Sequence, residues 1–249
     1  MDNEQRMTSW CRMWNEDPSL AHELMTDDCV QWSDHGVGLD SVVGPQQQER
    51  FVTGYRAQHV NIFSPRVLVD AGDRFAYLWD VQKPDGQVLT GIDVNILKDG
   101  RVRQNWTFVA ERRCEQPDPG LEPADRAEPA TIEDLCHRWL RLRNGGAELA
   151  ADVVTGDFAL FSGASAVGDV HGRAELADLT KRQADADDPP VFTIHRRPVL
   201  DPARGRVVLL WTAESRADGA RVGGVDLLTV RDDRFARAWS LTGTRAFRY

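Results

Sequence analysis

Long apolar runs, paired cysteines and net positive charge are all missing from this 249-residue chain, and each absence removes a class of function. No apolar run approaches the roughly 18 residues needed to span a bilayer, and the opening Met-Asp-Asn-Glu-Gln-Arg is too polar for a secretory leader. A soluble cytoplasmic protein with no membrane partner is the expectation. The four cysteines, Cys11, Cys29, Cys114 and Cys136, show no C-x-x-C spacing, which suits buried small hydrophobes better than disulfides or a metal site. Thirty basic residues against 39 acidic ones leave a net charge of -9, which disfavours a nucleic-acid backbone as partner.

What is present is a repeat. Met7, Trp10, Cys11 and Trp14 are echoed by Ile132, Leu135, Cys136 and Trp139, each pair 125 positions apart, and both sets follow the i, i+3, i+4, i+7 spacing of one helix face. Trp79, Gly91, Asp93 and Trp106 recur as Trp211, Gly224, Asp226 and Trp239, at offsets of 132 or 133. The chain therefore reads as two domains, 1–113 and 131–249, joined by a stiff proline-rich linker over 114–130.

Each copy has helices first and strands after, so the class is α+β. In the first, a helix near 4–15 leads through Asp17-Pro18 to a short second helix reaching about Met25. A strand follows over Cys29–Asp34, and a third helix covers Gln46–Tyr55. Four long antiparallel strands are expected at Val60–Val69, Phe75–Gln82, Val88–Leu97 and Val102–Ala110, with turns at Asp70–Asp73, Lys83–Gly86 and Lys98–Gly100. The second copy repeats this with Thr131 as helix cap, helical stretches at 148–154 and 173–183, a short strand over Phe158–Phe161, and strands near 191–200, 205–215, 221–230 and 234–247.

Three helices followed by a curved antiparallel sheet, with Gly91-Ile-Asp93-Val-Asn-Ile-Leu-Lys-Asp-Gly100-Arg-Val-Arg-Gln-Asn-Trp106 across the last hairpin, resemble the SnoaL-like or ketosteroid isomerase-like superfamily, also called nuclear transport factor 2-like. The strand from Asp27 to Gly36, with Val43-Gly44 beyond it, resembles that superfamily's second recurrent stretch. The resemblance covers each copy once and implies two tandem cones, each closing a pocket between its sheet and its helices. It does not fix an activity, because this scaffold hosts isomerases, dehydratases, cyclases, hydrolases and noncatalytic binding domains.

Within the first copy the resemblance makes Asp93 a candidate acid, kept neutral in a dry pocket so that it donates to an oxyanion. Asp34 and His35 are candidate bases. Aligning Gly44 with Gly172 sets Ser162 and Gly163 opposite them, so the second copy lacks both. In the isomerase branch the base lies one residue earlier on this strand, and a one-residue slip turns a side chain to the other face. Trp32, Tyr55, Trp79, Asn105 and Trp106 are the expected substrate-binding residues, with Asn105 or Tyr55 as a second oxyanion donor. The isomerase branch takes a tyrosine from the first helix, where this chain offers Trp10, Cys11 and Trp14. The epoxide-hydrolase branch needs an Asp just after the last-strand Trp, where Thr107 and Phe108 stand.

The second copy, with Phe158, Leu160 and Phe161 in bulky positions, is expected to be scaffold, and the two copies are expected to pair within the chain. The reading is an acid/base enzyme needing no metal or organic cofactor: a cyclase, dehydratase or isomerase of a small apolar oxygenated metabolite. The rival is a noncatalytic module that binds a small molecule or another protein.

Overall fold

The computed structural model describes residues 1–34, 37–111, 124–163 and 168–248. The chain divides into two compact units, Met1–Arg113 and Cys114–Tyr249. Among the described residues no helix is long and apolar enough to cross a membrane.

In the first unit, α1 (Asn3–Asn15) starts from a reciprocal cap: the Gln5 N–H donates to Asp2 Oδ1 at 2.8 Å and the Asp2 N–H donates to Gln5 Oε1 at 3.0 Å. Its apolar face buries Met7, Trp10, Cys11 and Met13. Asp17 and Pro18 then open a single turn, Pro18–Leu20, which runs into α2 (Ala21–Leu24). Strand β1 (Met25–Ser33) begins four residues before its expected start. An irregularity in its pairing between Met25 and Val30 lets Asp27 and Asp28 face solvent inside the strand.

Helix α3 (Gly44–Gln58) follows, and its first residue has φ +71°, with a would-be Cβ 2.4 Å from the Asp27 carbonyl oxygen. Only glycine fits there. The remaining strands are β2 (Ile62–Asp70), β3 (Arg74–Gln82), β4 (Val88–Lys98) and β5 (Arg101–Glu111). They form a curved sheet in the order β1-β5-β4-β3-β2, antiparallel except for β1 on β5. One face packs on α1 and α2 around Met7, Trp10, Leu24, Phe75, Tyr77 and Trp79.

The second unit repeats the plan. It has α4 (Pro129–Arg143), a turn at Ala147–Leu149, α5 (Ala150–Val153), β6 (Val154–Ser162), β7 (Val170–His171) and α6 (Arg173–Ala184). Then come β8 (Val191–Ile194), β9 (Val199–Asp201), β10 (Arg206–Glu214), β11 (Arg221–Arg231) and β12 (Arg234–Thr242). The sheet order is β7-β6-β12-β11-β10-β8, with β9 also on β10. Two architectures of the same α+β kind thus stand in tandem.

Local expectations change in the second unit. The cap of α4 is Glu128 with Pro129 in the first turn, so Thr131 lies inside the helix. The strand expected near 191–200 is two short ones, because Pro198 has no N–H to give to a ladder. Within the stretch expected as linker, the Asp125 N–H donates to the Val230 carbonyl at 2.9 Å, and Ala127 is buried in the second unit's core.

The repeat is in register at an offset of 129 through its first half, one helical turn away from the 125 suggested by the apolar pattern. Asn15 clasps the backbone of Phe63 from both sides, at 2.7 and 2.8 Å, and Asn144 clasps Phe192 in the same way at 2.9 and 2.8 Å. Trp10 therefore matches Trp139, and Trp14 matches Arg143. Four residues are close to one turn of 3.6, so the slip keeps the apolar face intact and hides in the sequence. Cys11 and Cys136 are consequently not equivalent, although both are buried free thiols, as is Cys29.

Candidate functional site

The inward face of the first unit's sheet lines a cavity of about 250 Å³ with α1 and α3. Six aromatic side chains make most of its wall: Trp10 and Trp14 from α1, Phe51 and Tyr55 from α3, Phe63 from β2 and Trp79 from β3. Its polar groups come from Gln31, Ser33, Tyr77, Thr107 and one carboxylate, Asp93. Strand alternation explains the set, because Tyr77, Asp93 and Thr107 are direct partners across β3, β4 and β5 and so share one face.

Asp93 is 3 % exposed and surrounded by uncharged donors. The Tyr77 hydroxyl donates to Oδ2 at 2.8 Å, the Trp79 indole N–H to Oδ1 at 2.9 Å, and the Asn105 amide reaches Oδ2 at 3.4 Å. Burial pushes its pKa up to about 6, against hydrogen bonds from Tyr77, Trp79, Thr107 and Asn105 that pull it down. Burial and the neighbouring carboxylate hold the Tyr77 hydroxyl well above its ordinary value, so it stays a neutral donor. The Cys11 thiol, also on the wall, is pushed up to about 12 by burial and then by Asp93, which rules it out as a thiolate nucleophile near neutral pH.

Trp79 is held in place by a missing side chain. Gly91 is its partner across the ladder, and a Cβ there would lie 2.1 Å from the indole ring. The ring lies flat over the glycine and brings its N–H to Asp93. The spacing from Gly91 to Asp93 seen in the sequence is thus a platform for an indole with a carboxylate at its edge.

The sequence-derived residues fall into three groups. Asp93, Trp79 and Tyr55 meet at the cavity, and Asn105 stands one rung away, where it donates to Asn95 Oδ1 at 3.0 Å and orients Asp93 without lining the space. Trp32 and Trp106 are fully buried on the opposite face of the sheet, where Trp32 packs on Phe108 with ring centroids 5.1 Å apart, so they are not on the wall. Asp34 is buried and donates its backbone N–H to the Thr107 carbonyl at 3.1 Å, but Ser33 is the residue that lines the cavity. The one-residue slip along this strand is therefore real, and no bulge at Asp34 restores it. His35 lies outside the described residues.

Tyr77, Thr107, Gln31, Ser33 and Phe63 were not among the candidates. Pairing β3 with β4 through Trp79 and Gly91 would have set Tyr77 beside Asp93, since both ladder partners then follow from the alternation. Among the described residues no three His, Cys, Asp or Glu side chains cluster as a metal site.

The second unit answers the same carboxylate differently. Asp226 accepts from Trp211 and Trp139 indole N–H groups at 2.8 Å each, from Ser240 Oγ at 2.7 Å and from Arg143 Nη1 at 2.8 Å. The guanidinium carbon of Arg143 lies 4.0 Å from the Phe192 ring centroid and 4.4 Å from that of Trp211. On its inner side a void of about 40 Å³ is lined partly by Leu160 and Ser162, and a separate, more polar pocket of about 280 Å³ runs past Arg143 along Asn144, Gln183, Pro189 and Arg216. Ser162 is the counterpart of Ser33, and Gly163, whose N–H donates to the Ser240 carbonyl at 2.9 Å, is the counterpart of Asp34. That corrects the expected pairing of Ser162 with Asp34 by one position.

No family model and no curated protein matches the chain. Among solved structures it is similar to TsrD from Streptomyces laurentii, at 20% identity over 46% of this chain and 90% of that one, with a TM-score of 0.38. It is also similar to IdmH from Streptomyces antibioticus, described as a candidate polyketide cyclase, at 16% identity over 44% and 92% with a TM-score of 0.38. A candidate isomerase of the SnoaL-like family from Agrobacterium tumefaciens matches at 18% identity over 43% and 95%, with a TM-score of 0.37. The tandem fold itself rests on the two sheet topologies described above.

Proposed function

We propose that the first unit is an acid/base enzyme, a cyclase, dehydratase or isomerase of a small, largely apolar oxygenated molecule, and that the second unit is a scaffold copy. The observation that carries this reading is Asp93, a buried carboxylate with a pKa of about 6 on the wall of a largely aromatic cavity. A carboxylate in that range is a proton acceptor near neutral pH and a competent acid once protonated.

Asp93 takes the role of base, in place of the neutral donor that the resemblance implied, because an indole N–H, which can only donate, fixes Oδ1, and Tyr77 and Asn105 crowd Oδ2. Its carboxylate would remove a proton from carbon next to a substrate carbonyl, leaving an enolate whose oxygen is met by a donor on the wall. Tyr55 and Ser33 are the candidates, because both line the cavity and carry a hydroxyl. The same protonated Asp93 would then return the proton to a different carbon or to a leaving oxygen. Asp34, off the wall, has no part in this scheme.

The test is exchange of carbon-bound hydrogen for deuterium in a panel of small cyclic ketones and enones, followed by NMR with the intact chain. Wild-type protein should catalyse exchange, and Asp93→Asn should reduce it by at least about a hundredfold, as expected for loss of a general base. Exchange that survives in Asp93→Asn would remove Asp93 from the chemistry.

The alternative reading is a noncatalytic small-molecule binder. The side-chain donors Tyr77, Trp79 and Asn105 already on Asp93 favour it, since a carboxylate so anchored also serves as fixed recognition. Saturable binding without exchange or any change in ligand mass would select it.

A further inference from the structure

The second unit carries a cation where the first unit has space. In the second unit a carboxylate at the floor (Asp226), an indole lying on a glycine (Trp211 on Gly224) and a phenyl ring (Phe192) surround the Arg143 guanidinium. In the first unit Asp93, Trp79 on Gly91 and Phe63 form the same three surfaces. The equivalence is fixed by the indole bond to Oδ1 in both, at 2.9 and 2.8 Å, and by the asparagine clasp on Phe63 and Phe192. The two rings stand 5.6 Å apart in the first unit and 5.3 Å in the second.

The position of Arg143 belongs to Trp14 in the first unit. Its ring packs edge-on against Tyr55 and Phe51, tilts over Phe63 and lines the same cavity as Asp93, while the Oδ2 that Arg143 meets in the second unit accepts here from the Tyr77 hydroxyl and is reached by the Asn105 amide. Among the described residues no cationic side chain pairs with Asp93, whose partners are the uncharged Tyr77, Trp79, Asn105 and Thr107. Aromatic faces attract cations through their quadrupole, most strongly where water is excluded, and a buried carboxylate adds charge complementarity.

We propose that the first unit's cavity takes a ligand with an organic cation at one end, a protonated amine or a guanidinium, seated on Asp93 against the exposed sides of Trp79 and Phe63, with its apolar remainder against Trp10, Trp14 and Tyr55. Arg143 is the internal stand-in for that group in the second unit. This assignment rests on the cavity being a ligand site and not on Asp93 acting as a base.

The test compares benzylamine, a cation at pH 8, with benzyl alcohol, its neutral relative of similar size, by calorimetric titration of the intact chain. The amine should bind at least about tenfold more tightly, a ratio equal to roughly 1.4 kcal/mol. Asp93→Asn should erase the preference, and Trp14→Arg, which supplies the second unit's cation to the first, should erase amine binding. Equal or tighter binding of the alcohol would overturn the cation assignment while leaving a ligand cavity in place. A preference that persists in Asp93→Asn would overturn it as well, and binding of neither probe would remove both the cation and the cavity reading.

Discussion

Arg143 donates to Asp226 at 2.8 Å from the helix position that Trp14 occupies in the first unit. With it go Leu209 in place of Tyr77 opposite the carboxylate and a bond from the Trp139 indole that its counterpart Trp10 does not make to Asp93, and the second unit's carboxylate is covered where the first unit's lines a cavity. The Arg143 side chain is 16% exposed and that of Asp226 1%, so the carboxylate is buried, the guanidinium is partly so, and two indoles and a serine hydroxyl hold the carboxylate besides the charge.

Removing the guanidinium strands a buried carboxylate. Arg143→Ala should therefore destabilise the second unit by about 3–5 kcal/mol, the usual penalty for one uncompensated buried charge. Chemical denaturation followed by a probe in the second unit measures it. Added methylguanidine at millimolar concentration should restore part of the loss, and a variant as stable as wild type would mean that the ion pair does not matter.

Asp93 should make the first unit less stable as pH rises. Its folded pKa of about 6 lies above the ordinary carboxylate value near 3.9, so the folded state binds the proton more tightly than the unfolded chain does. This contribution is favourable below about pH 4, declines as pH rises from 4 to 6, and is fully lost above 6. The whole change is on the order of 3 kcal/mol. The fall between pH 4 and pH 7 should be smaller by that amount in Asp93→Asn, measured by urea unfolding at both pH values. Parallel pH profiles for the two proteins would contradict it.

Gly91→Ala should lift the Trp79 indole off its platform, because the new methyl would lie 2.1 Å from the ring. A loss of about 1–3 kcal/mol is expected from such overpacking. The same change should weaken the bond from the indole to Asp93. Near-ultraviolet circular dichroism of the tryptophans and thermal unfolding report the two effects, and Gly224→Ala should act in the same way through Trp211.

Much of this was legible before any coordinates. Helix faces and strand alternation placed α1, α3 and β2 to β5 within a few residues, because those elements bury a regular apolar face. The echo of Trp79, Gly91 and Asp93 in Trp211, Gly224 and Asp226 pointed at the same three residues that build the platform. What stayed hidden was register. A four-residue slip on a helix keeps its apolar side, so Trp14 was matched with Trp139 and the exchange for Arg143 went unseen. A one-residue difference on a strand reverses direction, so Ser33 lines the cavity instead of Asp34. Trp32 and Trp106 read as wall because they are aromatic, yet in a sheet buried on both faces aromatic character does not say which face a residue serves.

Asp93 is a buried carboxylate on a largely aromatic cavity, with no cationic partner among the described residues, and the proposed chemistry requires it to exchange a proton near neutral pH. A carbon-13 NMR titration of aspartate carboxyl groups in the intact chain, with Asp93 assigned by its disappearance in Asp93→Asn, tests this most directly. The expected result is a midpoint near pH 6 for Asp93. A midpoint at or below the ordinary carboxylate value near 3.9 would contradict the account, since the group would then be a well-solvated or charge-paired anion with no proton to exchange near neutrality.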